Sequence, residues 1–202
     1  MAAIEKTVRD LGALPTWDLK DLYPGRDSPE LKDALSRSET DAKAFRAAHE
    51  GKLAGYSGAR LGAAVADYER IDETLARLMS YAQLLHSGDM TDPEIGRFYQ
   101  TLQEKVTTIS SETLFFALEL NRIEDSALEA KLADPALAHY RSWLRDVRAF
   151  RPHQLSDDIE RLLHEKSVVG RGAWTRLFDE TMAHLRFPLD GKELTEAEVL
   201  HL

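Results

Sequence analysis

Two long runs of helical periodicity, separated by one short turn, constrain the fold of this chain more than any other feature. In each run, mostly apolar residues recur at alternating steps of three and four over roughly 30 residues, as they do on one face of an α-helix. Between them, the segment 87–91 has the composition of a turn, with Thr91 as the cap of the second helix and Pro93 in its first turn. A short connection makes the two helices antiparallel neighbours, so we predict a long helical hairpin. The recurring positions are Leu61, Val65, Tyr68, Ile71, Leu75, Leu78, Ala82 and Leu85, then Ile95, Phe98, Leu102, Val106, Ile109, Thr113, Phe116 and Leu120.

The remaining sequence predicts an all-α fold, with several shorter helices and at most a short β element near 185–193. Residues 1–28 are rich in turn formers and carry Trp17 and Tyr23, so we expect an N-terminal arm that packs onto the body. Residues 29–202 then form one helical domain. In the helix after Ser156, the residues Ile159, Leu162 and Leu163 are expected to be buried.

Charge and composition exclude several classes of function. The 26 Lys and Arg residues against 35 Asp and Glu residues give a net charge of −9, which argues against nucleic-acid binding. The chain has no cysteine, which excludes a disulfide scaffold, a thiol nucleophile and any cysteine-containing zinc site. Charged residues interrupt residues 1–20, and no run of 18 apolar residues occurs, so we expect no signal peptide, no membrane partner and a cytoplasmic location.

A metal site is the first chemistry to consider, because the chain holds seven histidines. A helical zinc-protease motif needs a second histidine four residues after the first. His164-Glu165 begins in that way, but position 168 is valine. Glu160 and His164 lie four apart and could share a metal, although such pairs are ordinary neighbours on a helix surface. His49 falls at a predicted helix end, which is a structural position. We therefore predict no catalytic, cofactor-binding or metal-ligating residue in these 202 residues.

Other catalytic arrangements are equally incomplete. Ser110 and Ser111 fall inside the second hairpin helix, where serines are more often spacers than nucleophiles. Gly170-Arg171-Gly172 lacks the preceding strand and third glycine of a phosphate-binding loop, and it is more simply a helix terminator. An aromatic stripe could line a ligand groove, but its helical spacing favours core packing. The stripe comprises Phe98, Phe115 and Phe116, with Tyr68 and Tyr81 opposite.

The C-terminal residues contain a strong helix start. Thr195-Glu196-Ala197-Glu198 is a capping box, in which the threonine hydroxyl and the second glutamate satisfy free backbone amides. The sequence ends at Leu202, about two turns later, and helices that short are marginal. We therefore expect the chain to be a fragment of a longer protein.

Several segments, in this order, resemble the oligoendopeptidase F family, zinc metallopeptidases related to thimet oligopeptidase. The resemblance runs from about residue 14 to the end, and it rests on order and spacing more than on any single piece. The segments are Trp17-Asp18-Leu19-Lys20-Asp21-Leu22-Tyr23, the hairpin, Arg151-Pro152-His153-Gln154-Leu155-Ser156, Glu160-Arg161-Leu162-Leu163, Ala173-Trp174-Thr175-Arg176-Leu177-Phe178 and Phe187-Pro188-Leu189-Asp190-Gly191.

The resemblance implies a longer parent enzyme that hydrolyses short unstructured peptides. In the family, zinc is held by a His-Glu-x-x-His helix and a later glutamate in a C-terminal catalytic half, and no position here matches those residues. The chain would then be the N-terminal helical portion, truncated before the catalytic zinc domain and facing it across a channel. Its implied role is to restrict entry to the channel, and the fragment itself should be inactive and without zinc.

Two alternatives come from other classes of protein. The hairpin could be a free-standing interaction or dimerisation module without catalysis, associating through its apolar stripes. A self-contained enzyme built on Glu160 and His164 is the third possibility.

Overall fold

The structure, a computed structural model, describes residues 17–202. Its helices confirm the all-α prediction, and one two-stranded sheet near the C-terminus is the short β element. Within the described range, no helix combines the length and apolar character needed to cross a membrane. The elements are α1 (Pro29–His49), α2 (Gly58–Gly88), α3 (Pro93–Ser111), α4 (Leu114–Arg122), α5 (Asp125–Lys131), α6 (Pro135–Ala138), α7 (Arg141–Arg148), α8 (Asp157–Lys166), α9 (Arg171–His184), β1 (Phe187–Leu189), β2 (Lys192–Leu194) and α10 (Glu196–Leu200).

Helices α2 and α3 form the predicted hairpin, but its second helix is shorter than predicted. Asp92, not Thr91, caps α3, because its carboxylate accepts hydrogen bonds from the amides of residues 94 and 95. The helix ends at Ser111, and α4 starts a separate helix at Leu114. Hydroxyls compete with the helical backbone at this break: both Ser110 and Ser111 donate to the carbonyl of Thr107. The predicted continuation to residue 120 was therefore wrong.

The core lies between α1, the hairpin and α4, and aromatic rings fill its centre. Phe116 is completely buried and stacks on Tyr68, with ring centroids 5.0 Å apart. The edge-on contact of Phe116 with Phe45 spans 5.1 Å. Tyr81 is buried and meets Phe98 edge-on at 6.2 Å. The aromatic stripe is thus part of the core, as its spacing predicts.

The start of α2 packs closely against the segment that contains α5 and α6. A Cβ atom placed on Gly62 would lie 2.7 Å from the backbone carbon and oxygen of Ala136. A Cβ on Gly58 would lie even nearer to the carbonyl oxygen of Lys131. These two glycines let the backbones approach each other, and Leu137 on α6 becomes fully buried against the hairpin.

Arg148, the last residue of α7, joins three elements. Its guanidinium donates to the carbonyls of Leu120 and Ile123 at the end of α4, and to the carboxylate of Asp125 at the start of α5. The side chain is largely buried, with 11% of its surface exposed. Arg148 thereby adds a charged donor to carbonyls at the end of α4 and fixes α7 beside α4.

The apolar residues of α8 and α9 are exposed. Ile159, Leu162 and Leu163 on α8, which the periodicity predicts to be buried, are 45–54% exposed, so that prediction was wrong. The apolar pattern is present, but within the described range no other element covers that face. On α9, Trp174 is 72% exposed, and Phe178 is exposed as well.

Helix α9 faces α3 with small and polar residues instead. Gly172 lies against the side-chain amide of Gln103, and the carboxylate of Glu180 approaches Gly96. Trp174, Leu177 and Phe178 therefore remain on surfaces that the described residues leave open.

The C-terminal residues form the turn and the helix cap that the sequence predicts. Strands β1 and β2 pair antiparallel around Asp190 and Gly191, which both adopt positive φ angles. The capping box at Thr195 is present, with its hydroxyl accepting from the amide of Glu198.

The N-terminal arm is described only from residue 17, and its predicted packing before that point lies outside the described residues. Tyr23 is buried and meets Tyr81 edge-on, with ring centroids 5.5 Å apart. Trp17 is 90% exposed, contrary to the packing expected of it. In the described range the arm contacts the core through Leu19, Leu22 and Tyr23.

Candidate functional site

The residues considered for a metal or acid–base site have separate partners. His164 Nε2 lies 2.8 Å from the hydroxyl of Ser110, whereas Glu160 accepts a hydrogen bond from the backbone amide of Leu155 at 2.8 Å. Among residues 17–202 there is no group of three metal-ligating side chains. The geometry therefore gives no support to a catalytic carboxylate–histidine pair.

Ser110 has two polar neighbours. Its hydroxyl lies 3.1 Å from the carbonyl oxygen of Thr107 and 2.8 Å from His164 Nε2. The contact attaches α8 to α3.

The glycine pair at 170 and 172 is a helix junction. The amide of Gly170 donates to the carbonyl of Lys166 at 2.8 Å, and α9 starts at the following residue. An amide occupied in this way is not available to a phosphate.

His49 occupies the end of α1, the structural position predicted for it. Its Nδ1 lies 3.1 Å from the hydroxyl of Tyr56, which itself donates to the carbonyl of Ala48. Burial lowers the pKa of His49 below its usual value, while Asp67 opposes the shift.

We expect His49 to make stability fall with acid. Because its pKa is lower in the folded chain than in the unfolded chain, its contribution is complete above the unfolded value, about 6.5. The contribution is lost as the pH falls through the folded value. An NMR titration should give a His49 midpoint below that of the same residue in urea, and His49→Gln should flatten the decline in Tm on acidification. Equal midpoints in both states would contradict this.

Two clefts meet at Ala117 on α4, and they hold the candidate binding groups. The first, about 350 Å³, is lined by Tyr68, Asp72 and His164 among apolar residues. Burial raises the pKa of the Asp72 carboxyl, and burial also raises the pKa of Tyr68 to about 12. This cleft combines apolar walls with a desolvated carboxyl group.

The second cleft, about 580 Å³, lies between α4, α7 and the segment that follows α7, and we call it the amide cleft. Asn121 and Gln154 line it, and in the described part of the chain neither of their buried side-chain oxygens has a hydrogen-bond partner. Gln154 is fixed by its nitrogen, which donates to the carbonyl of Leu118 at 3.2 Å. The other lining residues are Ala117, Leu118, Trp143, Asp146, Val147, Phe150, His153 and Glu160.

Asn121, Gln154 and Asp72 are not among the residues that sequence patterns mark as functional. One signal was present for Asn121, since an amide among Leu118, Leu120 and the phenylalanines of α4 is unusual on a buried helix. Nothing in the sequence marks Gln154 apart from its place in a segment that carries the family resemblance.

The fold is an all-α domain with two adjoining clefts, and residues 17–202 contain no group of three side chains that could hold a metal ion. Comparison with solved structures agrees on the fold. The chain superimposes on the crystal structure of oligoendopeptidase-F from Enterococcus faecium with a TM-score of 0.67 at 19% identity, covering 82% of this chain and 33% of that one.

Sequence comparison finds oligopeptidase relatives as well. Residues 119–187 match the peptidase M3 N-terminal family model, described as Oligopeptidase F. The chain is also 27% identical to oligopeptidase PepF of Bacillus subtilis (strain 168) over 198 residues, which are 95% of this chain. These findings confirm the predicted resemblance and support an N-terminal portion of the oligoendopeptidase F family. The chain spans 28% of the length of the Bacillus subtilis relative.

Proposed function

We propose that this chain is the N-terminal, substrate-gating portion of a cytoplasmic zinc oligoendopeptidase that hydrolyses short unstructured peptides. It forms a wall of the channel through which the peptide reaches the catalytic portion. The oligopeptidase relatives support a peptidase parent. The zinc chemistry, the gating role and the inactivity of the chain alone are parts of the proposal.

The observation that carries the proposal is the exposed apolar surface of α8 and α9. Single exposed apolar residues are ordinary, but a set concentrated in one region marks an interaction site. Because the chain spans about a quarter of its relative, we assign this surface to contact with the catalytic portion of the parent enzyme. The set lies on α8 and α9 and on the segments next to them, and it comprises Phe150, Leu155, Ile159, Leu162, Leu163, Val169, Trp174, Leu177, Phe178 and Leu185.

A helical wall can select substrates by size alone. The hairpin packs against α1 and α4 through a close-packed aromatic core. It is therefore too rigid to move aside for a folded protein at the channel. An extended peptide is narrow enough to pass. Closure of the two portions around it would exclude water and orient the peptide.

Zinc would be held by the parent's other portion. The described residues offer no cluster of metal-ligating side chains, so none of them is assigned a role toward the metal. When bound, zinc supplies Lewis-acid activation of water for peptide hydrolysis. The contribution of this chain is to admit, hold and orient the peptide.

We expect the 202-residue chain to leave an internally quenched peptide uncut, with or without added zinc. A longer chain that continues into a His-Glu-x-x-His segment should cleave the peptide, and EDTA should abolish that cleavage. The coding sequence downstream of Leu202 gives the first measurement. A stop codon directly after Leu202, or EDTA-sensitive cleavage by the short chain, would contradict the proposal.

The alternative is an interaction module without catalysis. The structure does not favour association through the hairpin stripes, because Leu61, Val65 and Leu78 are fully or almost fully buried inside the domain. The exposed surface of α8 and α9 is the remaining route to a dimer. A tight dimer in sedimentation that Trp174→Glu dissociates, together with a stop codon after Leu202, would establish this alternative.

A further inference from the structure

Asp72 on α2 has no ion-pair or hydrogen-bond partner among the described residues. Elsewhere on the same helix, Asp67 pairs with Arg70, three positions away, at 2.6 Å. The positions three and four residues from Asp72 carry no basic side chain; they are Tyr68, Glu69, Leu75 and Ala76. No lysine or arginine from another described element lines the cleft that contains Asp72. The described residues therefore supply no cation for this carboxylate.

The cleft around Asp72 is mostly apolar, and we call it the Asp72 cleft. It has a volume of about 350 Å³ and lies between α2, α3 and α4, with His164 of α8 at its edge. The surrounding residues desolvate the carboxyl group, which raises its pKa. Asp72 nevertheless remains accessible from solvent, so a ligand in the cleft can reach it. The apolar lining residues are Leu75, Ala76, Met79, Val106, Leu114 and Ala117.

The other polar groups of the cleft leave the charge of Asp72 uncompensated. The hydroxyl of Ser110 lies 2.8 Å from His164 Nε2, and the Thr113 hydroxyl donates to the carbonyl of Ser110. Tyr68 stays neutral, because burial raises its pKa to about 12. Asp72 is therefore the one negative charge among the described lining residues, and a cation is the ligand that complements it.

The lining favours a cation on an unbranched alkyl stem. A lysine side chain can lay its four methylene groups along apolar walls while its compact ammonium group reaches a carboxylate. A planar guanidinium gains more from an open aromatic face or from several acceptors. In this cleft the ring of Tyr68 already stacks on Phe116, with centroids 5.0 Å apart, and Asp72 is the one carboxylate. Lysine therefore fits the cleft better than arginine.

We propose that the Asp72 cleft is a subsite for a lysine side chain of an extended peptide, with the Asp72 carboxylate as the partner of the ammonium group. The apolar residues of α2, α3 and α4 cover the stem of the lysine. The proposal rests on the peptide-handling role proposed above and adds a substrate preference to it. The oligopeptidase relatives are the reason for assigning the cation to a peptide.

Methionine methyl signals in NMR spectra test the subsite directly, because Met79 lines the cleft whereas Met90 and Met182 do not. The probe is an acetylated and amidated heptapeptide of glycine and alanine with one central lysine. We expect it to shift the Met79 signal of the 202-residue chain and to leave the Met90 and Met182 signals in place. A peptide with a central norleucine keeps the stem without the charge, and it should bind at least about tenfold more weakly. A peptide with a central arginine should also bind more weakly.

A substitution then separates the carboxylate from general effects of charge. Asp72→Asn removes the charge at similar volume and should weaken binding of the lysine peptide about tenfold. Because the carboxylate is desolvated and unpaired, this variant should keep or raise the Tm, so unfolding does not account for the loss of binding. Asp33→Asn is the matched control, because Asp33 is exposed on α1 outside the cleft. It makes the same change in net charge and should leave binding unchanged.

Several outcomes would overturn the subsite even if a longer chain is an active peptidase. These are an unshifted Met79 signal at the highest soluble peptide concentration, equal affinity for the lysine and norleucine peptides, and equal effects of the two asparagine variants. An arginine peptide that binds as tightly would overturn the assignment to lysine. Binding by the 202-residue chain that the longer chain lacks would mean that the parent's other portion fills the cleft, which also overturns the subsite.

The supporting outcome is lysine-dependent binding that Asp72→Asn weakens and Asp33→Asn does not. Such binding would stand even if the longer chain failed to cleave peptides, and that failure would overturn the gating proposal alone.

Discussion

Phe116→Ala should lower the free energy of unfolding by about 3–5 kcal/mol, the range for removing a large aromatic side chain from a core. Phe116 is completely buried, and it contacts the rings of Phe45, Tyr68 and Phe115. Truncation would leave a cavity among rings attached to α1, α2 and α4. These helices pack against one another, so they can shift only partly to fill the cavity.

Urea unfolding followed by circular dichroism gives the measurement. Phe178→Ala is the matched control, because the same atoms are removed from a side chain that is 64% exposed. Its effect should stay within about 0.5 kcal/mol, as for other surface changes. If the two variants lost similar stability, the aromatic cluster would not be the centre of the core.

Gly62→Ala should destabilise the chain by about 1–3 kcal/mol, although alanine is the better helix former. The new methyl group would lie 2.7 Å from backbone atoms of Ala136, which are not free to rotate aside. Helix α6 would have to move away from α2, and the burial of Leu137 would be reduced. Overpacking thus outweighs the gain in helix propensity.

Gly88→Ala, in the same helix, separates these two effects. A Cβ at Gly88 meets no atom of the described residues within 4 Å, so the substitution changes only the conformational freedom of the backbone. We expect this variant to be unchanged or up to about 1 kcal/mol more stable. A stabilised Gly62→Ala would mean that α6 is not packed on α2 as described.

Apolar periodicity was sufficient to predict the hairpin, because its stripe is buried along most of its length. The same periodicity could not locate the break before α4. There the Thr113 hydroxyl donates to the carbonyl of Ser110, and the two serines donate to Thr107. Such local competition depends on hydroxyl orientation, which residue spacing does not encode.

Periodicity also identifies an apolar face without identifying what covers it. Ile159, Leu162 and Leu163 share one face of α8 as predicted, yet in the described part of the chain that face is open. Apolar spacing alone does not show that another of the described elements packs on that face. In the same way, the amide cleft depends on tertiary packing, since Asn121 and Gln154 are 33 positions apart in sequence.

The guanidinium of Arg148 also fixes the width of the amide cleft. Since it bonds to Leu120, Ile123 and Asp125 at once, α4 and α7 cannot separate without losing several charge-assisted bonds together. The distance between the two walls is therefore set inside the domain, and little backbone ordering remains for anything that binds there.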